Sequence, residues 1–354
     1  MWTTKTSAKL LLTSVASLVL IGQASALEAQ AFVDRVAAVY KSVGYKIEFG
    51  AATLDGDTIT VEGATLSPMM GHDMQPMHFE NEITFSGVSE LAGGAYHADT
   101  VSIPDIETEF ATEPKGELSL KDIAIQDLYV PGGDTISAID SVQTIGGLST
   151  GPLSVKRDGV EVMAYDSFES SATYNPAQGS ADLVDIASSV EISGIVADLS
   201  SVAEEDASAG AVIEALGLTN LSGDISEDMT WSMADGHMTI NQFLIDFADV
   251  GALDLTAEVT GLTPAVIEQI NALQTEAATG GEMTDEKAQA QMMKGMGIMQ
   301  GVSIVGASLR YDDASLAGHM LDYFAGQSGA DRATFVANLK TMLPMVIGQA
   351  GIPA

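Results

Sequence analysis

Short runs in which apolar and polar residues alternate, punctuated by Gly and Asp, constrain this chain more than any other feature. Leu253, Leu255, Ala257 and Val259 alternate with Asp254, Thr256, Glu258 and Thr260, a period of two that places one set on one face of a strand. Met229, Trp231 and Met233 alternate with Thr230 and Ser232, Asp235-Gly236 turns the chain, and Met238 and Ile240 resume. That pattern predicts a β-hairpin. Further strands are expected over Lys46–Phe49, Thr58–Leu66, Phe79–Phe85, Thr100–Ile106, Glu117–Ile125, Val160–Ala164 and Val190–Leu199, with a turn at Asp55-Gly56.

Helical spacing appears where the alternation stops. Phe32, Val36, Tyr40 and Val43 form one apolar face over Glu28–Val43, and Gly44 supplies the stop. Thr263-Pro264 opens a helix carrying Val266, Ile267, Ile270 and Leu273. Others are expected over Ala209–Leu216, Asp285–Met299 and Asp331–Gln349, and on Leu316, Met320, Tyr323 and Phe324 after a cap at Asp313. A strand followed by a helix recurs at 188–217, 252–274 and 302–326, an irregular internal repeat. The expected fold is α+β: a large, curved, mostly antiparallel sheet with short amphipathic helices packed on it or at its ends.

The first residues carry Lys5 and Lys9 and no acid, then an apolar run from Leu10 to Ile21 and the triplet Ala24-Ser25-Ala26. The run is too short to span a bilayer, which takes about 20 residues, and the triplet is a signal-peptidase site. Residues 1–26 are therefore expected to be a signal cleaved after Ala26. Residues 27–354 then form a single elongated domain in the periplasm or outside the cell. No later stretch reads as a transmembrane segment. The chain has no cysteine, which excludes both a lipid-modified anchor and a disulfide framework. Its stability has to come from burial.

The chain holds 49 Asp and Glu against 14 Lys and Arg, a formal net charge of −35. Such a field repels phosphate backbones, so nucleic acid is excluded as a partner. Spread along the chain, the charge reads as a solvated surface and disfavours anionic membranes as well.

Few clusters carry chemistry. Met69, Met70, His72, Met74, Met77 and His78 fall within ten residues. Thioether and imidazole donors at that spacing suit Cu(I) or Ag(I), or equally a methionine-rich loop that packs against the sheet. Met292, Met293, Met296 and Met299 share a helix and read as core or as lining for an apolar ligand. Gly147-Leu148-Ser149-Thr150-Gly151 matches the nucleophile-elbow string, but Pro152 follows where a helix is needed. His97, His237 and His319 are isolated. No catalytic residue and no cofactor other than copper is indicated, and the chain reads as non-enzymatic.

The runs GASLRYDDASLAGHMLDYFAGQSGADRATFVANLKTMLP and GALDLTAEVTGLTPAVIEQI resemble uncharacterised secreted proteins of alphaproteobacteria. In fold style the repeated strands ending in short helices look similar to AsmA-like envelope proteins, whose sheet shelters a lipid chain. A long sheet with one apolar face and only short helices to cover it is expected to leave a groove lined by Leu, Ile and Met, so the chain reads as a periplasmic binding or carrier protein for an apolar molecule such as a lipid. A scaffold of the cell envelope that meets a basic partner through its acidic surface is the alternative, with copper or silver handling through the loop 69–78 behind it.

Overall fold

A computed structural model describes residues 27–349 apart from 43, 69–75, 113–114, 134–139, 141–142, 178–182, 203–205 and 280–284. The chain opens with helix α1 (Ala29–Ser42), ended by Gly44 at a φ of +92°. A small sheet follows, in which β4 (Ala64–Pro68) lies between β1 (Tyr45–Phe49) and β5 (Met77–Phe79).

All remaining strands belong to one large antiparallel sheet. Its first part comprises β2 (Ala52–Asp55), β3 (Thr58–Val61), β6 (Ile83–Ser86), β7 (Ser89–Glu90), β8 (Tyr96–Ile103), β9 (Ile106–Thr112), β10 (Lys115–Leu120) and β11 (Ile123–Val130). The middle part holds β12 (Gly147–Thr150), β13 (Leu153–Arg157), β14 (Val160–Tyr165), β15 (Ser167–Pro176) and β16 (Val184–Asp198). The last part holds β17 (Asn220–Ser232), β18 (His237–Phe247), β19 (Gly251–Thr260) and β20 (Ser303–Asp313).

The hydrogen-bonded order runs β2, β3, β6, β8, β11, β12, β15, β16, β17, β18, β19, β20. The parallel course β9, β10, β13, β14 joins β16 through Met163 and Ala164. Each of β8/β9, β10/β11, β12/β13 and β14/β15 is thus one long strand broken at its middle. No pairing among the described residues joins β20 back to β2, so the sheet is open, with those strands at its two ends.

The breaks follow from residue spacing. Ile103 and Ile106, Leu120 and Ile123, Tyr165 and Phe168, and Ile192 and Ile195 are three apart where strand alternation requires two or four. One extra residue in each strand absorbs the difference and returns the apolar side chains to the same face. Asp and Gly occupy these positions because they tolerate the local geometry: Asp122 has a φ of +52° and Gly194 one of +68°. Their polar groups are satisfied across the break. The Asp122 N–H donates to Asp105 Oδ1 at 3.1 Å, and the Gly194 N–H donates to Asp224 Oδ1 at 2.8 Å.

The remaining helices are α2 (Ala207–Ala215), α3 (Pro264–Thr279), α4 (Asp285–Met299), α5 (Leu316–Gln327) and α6 (Arg332–Gln349). Strand-then-helix order is present at β16–α2, β19–α3 and β20–α5. Among the described helices, α1 packs on strands; α3 packs chiefly on α4, α5 on α6, and α2 touches α5. The large, mostly antiparallel sheet with short helices is as expected, and α1 is the helix that packs closely on it. Two strands expected as continuous are also divided: Thr58–Leu66 breaks at Gly63, whose φ is +80°, and Phe79–Phe85 is split between β5 and β6.

The core sits under α1. Phe32 is 0% exposed and meets Phe85 edge-on at 5.0 Å and Tyr96 at 5.4 Å between ring centroids. Val33, Val36 and Val39 join it against Ile59, Val61, Ala98, Val101, Leu128 and Val130, all buried.

Candidate functional site

Directly opposed residues in an antiparallel ladder share a face, so the pairing registers trace what each face presents. One mostly apolar row can be followed across the whole sheet: Ile59, Phe85, Val101, Ile125, Leu148, Ser170, Val190, Glu227, Phe243, Leu255 and Leu309. To one side of it run Tyr174, Ile186, Trp231, Met238, Val259 and Ile304; to the other run Phe168, Ile192, Ile225, Ile245, Leu253 and Tyr311. The result is a single apolar face that begins beneath α1 and ends at the β20 edge. Ser170 and Glu227 interrupt the central row.

The opposite face is polar. Glu169, Glu191, Ser226, Leu244, Asp254 and Arg310 form one row across it. Asp224 and Asp246 oppose each other directly in another.

Burial changes along the apolar face. Under α1, Ile59 and Val61 are fully buried and Phe85 and Val101 nearly so. From β15 onward the buried apolar strand residues are Val184, Ile186 and Ile195, and the other members of the rows stay partly open to solvent. A cavity of about 150 Å³ lies where the cover begins, between α1, the small sheet and the large one. Val36, Tyr40, Ile47, Phe49, Leu66, Phe79, Phe85, Ile103, Ile125 and Leu128 are among its walls, and no charged residue lines it. Burial pushes the Tyr40 phenol above its ordinary value, as expected beside so apolar a space.

A larger depression of about 790 Å³ lies on the polar side, lined by Glu107, Glu109, Glu117, Lys121, Lys156 and Glu161. Three of its acids are already engaged. Lys115 bridges Glu109 at 2.7 Å and Glu117 at 2.8 Å, bonds that raise the ammonium pKa and lower that of Glu117. Ser154 donates to Glu161 at 2.6 Å. Solvated and paired on itself, this basin offers no acid–base pair set apart from its neighbours.

Of the sequence-derived candidates, Met77 and His78 lie on β5, where His78 Nδ1 is 3.0 Å from Thr65 Oγ1. Met69, Met70, His72 and Met74 lie outside the described residues. The Gly147–Gly151 string is strand β12, with Ser149 opposite Glu169 and accepting a hydrogen bond from Gln126 at 2.9 Å. A nucleophile elbow needs a strand-to-helix turn, and this segment stays in the sheet. His237 pairs with Glu258 at 2.9 Å, and His97 lies 3.5 Å from both Asp99 and Asp127. Met292, Met293, Met296 and Met299 are exposed on α4, which rules out the core reading and leaves the other, the lining of an apolar ligand, untouched.

Sequence reading expects one apolar sheet face but does not trace it through the middle of the sheet, because β12 and β15 are rich in Ser, Thr and Gly and show little alternation of their own. The recurrent three-residue apolar spacing was the signal that marks them.

Residues 244–354 match a family model described only as an uncharacterized protein. No curated protein and no solved structure matches the chain.

Proposed function

We propose that the protein is a non-enzymatic carrier that shelters an apolar molecule, such as the acyl chain of a lipid, along the apolar face of its sheet. One observation supports this reading: an apolar face, broken at Ser170 and Glu227, is packed under α1 at one end, while over β15–β20 most of its side chains stay partly open and no helix among the described residues packs closely on it. A sheet with one apolar face has to bury it against something, and each large side chain taken out of water contributes roughly 1.5–3 kcal/mol. The chain supplies that burial at the first end alone. A guest laid on the remainder supplies the rest, and the apolar cavity beneath α1 receives its tip. Export to the periplasm, as the leader implies, would put such a carrier among envelope lipids.

Native mass spectrometry of the protein purified from the periplasm is expected to show co-purifying lipid. Ile225→Asp together with Leu255→Asp places charge in two apolar rows and is expected to lower lipid occupancy on the order of tenfold. Ser171→Asp, on the polar face, should leave occupancy unchanged. A wild-type protein that emerges empty, or one whose lipid survives the paired substitution, overturns the carrier reading.

A further inference from the structure

The chain has 17 methionines and no cysteine, so thioethers are its sulfur donors. Four of them fall within eight residues of α4, in the run Met292-Met293-Lys294-Gly295-Met296-Gly297-Ile298-Met299. Their exposures are 66%, 64%, 56% and 52% in chain order. The helix keeps a different flank for packing. Gln291, Gly295 and Ile298 are its half-buried positions in this stretch, and a Cβ built on Gly295 would lie 3.7 Å from Leu273 Cδ2 of α3. With 3.6 residues per turn, Met292, Met296 and Met299 form a stripe about 60° wide beside that packed flank. A flank that packs on a neighbour calls for buried apolar side chains, and one that faces water calls for charge. Thioethers in line on a water-facing flank meet neither need.

We propose that Met292, Met296 and Met299 form a site for a soft monovalent cation of the copper(I) and silver(I) class, with Met293 within reach as a fourth donor. Thioethers are soft ligands that select such ions over hard ones. Side chains three or four residues apart on a helix have Cβ atoms about 5–6 Å from one another. The three rotatable bonds of methionine let sulfurs on successive turns converge on one point above Met296. From Lys287 to Met299 the helix has no Asp, Glu or His, so the stripe adds no carboxylate that would favour calcium or magnesium. Among the described residues no group of three His, Asp or Glu is placed to hold a metal ion. Lys294 points about half a turn round the helix from Met292 and is engaged with a partner of its own. The net charge of −35 draws cations to the molecule as a whole. The site rests on the side chains of one helix and the carrier reading on the face of the sheet, so silver binding and lipid occupancy can each fail alone.

Titration of the full chain, labelled at the methionine methyl carbons, with silver nitrate in chloride-free buffer tests the proposal by NMR. The methyl resonances of Met292, Met296 and Met299 are expected to move together and to stop moving at one equivalent. Met163, exposed on β14 away from other methionines in the sequence, should stay still over that range. Single replacements by Leu assign the resonances, and Met296→Leu should weaken binding by at least about tenfold. Leu matches Met in volume and helix preference, so the urea midpoint should not change. Calcium nitrate should move none of the three.

Resonances that titrate separately, each with its own midpoint, overturn the shared site, and so do resonances that stay still in excess silver. Silver uptake that survives Met292→Leu, Met296→Leu and Met299→Leu combined, and is lost with His72→Ala and Met74→Leu, places the ion on residues 69–78 and overturns the proposal. A calcium response equal to that of silver overturns the selection by soft donors.

Discussion

At Gly194 a hydrogen is the only substituent that fits. A Cβ built there would lie 2.2 Å from Asp166 Oδ2 and 2.9 Å from Asp166 Cβ, so the whole aspartate side chain would have to move, and the φ of +68° adds its own penalty. Gly159 has a similar φ, +79°, but open space around the position. Ala at Gly159 is therefore expected to cost roughly 1 kcal/mol from backbone conformation alone. Ala at Gly194 should cost more, about 1–3 kcal/mol beyond that. Urea midpoints of the two variants check the order, and adding Asp166→Ala to Gly194→Ala should recover part of the difference. Equal midpoints would mean that Asp166 swings aside freely and the break in the strand is not held by this contact. The same close approach recurs where a Cβ at Gly87 would lie 2.2 Å from Asp99 Oδ2 and one at Gly151 would lie 2.7 Å from Asp122 Oδ2. Acid packed on glycine is how neighbouring long strands pass their extra residue.

Among the described elements, α1 is the helix that packs closely on the sheet, so loosening it tests what the cover contributes. Phe32→Ala should destabilise the fold by about 3–5 kcal/mol, the cost of emptying a fully buried aromatic site, measured by chemical denaturation. A loss below about 1 kcal/mol would mean that the core beneath α1 collapses onto the gap. This helix was legible in the sequence because its apolar residues keep one period from Phe32 to Tyr40. The β17–β18 hairpin, β19, α3 and α4 were legible for the same reason, with start signals at Asp235-Gly236, Pro264 and Asp285. Strands β12 and β15 were not, because residues such as Gly147, Ser149, Ser171 and Thr173 leave too little alternation to read. An apolar face was expected, but its composition was hidden: it depends on which strands lie side by side, and no single strand contains it. Short helices on the sheet or at its ends were expected, and the sequence could not say which of them would pair with one another. An amphipathic helix can bury its stripe against another helix as readily as against strands, as α3 and α5 do with α4 and α6.

For the molecule as a whole, the two faces of the sheet pose opposite electrostatic conditions. The apolar face needs cover, while the polar face places Glu169 against Glu191 and Asp224 against Asp246 in direct register. Like charges directly opposed on neighbouring strands destabilise the pair, and the surplus of acids over residues 28–286 adds a diffuse self-repulsion. Salt shortens the reach of both, from about 30 Å at 0.01 M to about 3 Å at 1 M. The folded state, which holds these carboxylates in register, gains more from screening than the unfolded chain, which spreads them out. The midpoint of thermal unfolding is therefore expected to rise by a few degrees with added sodium chloride, a shift equivalent to roughly 1–2 kcal/mol for a chain of this size. Glu191→Gln removes one opposed pair, and it should raise the low-salt midpoint while flattening the salt dependence. Scanning calorimetry at low and high ionic strength distinguishes this from a generic effect of salt on apolar burial, which would lift wild type and variant alike. A midpoint that stays flat for both would mean that water already screens the polar face fully, leaving the apolar face and its cover to set the stability of the sheet.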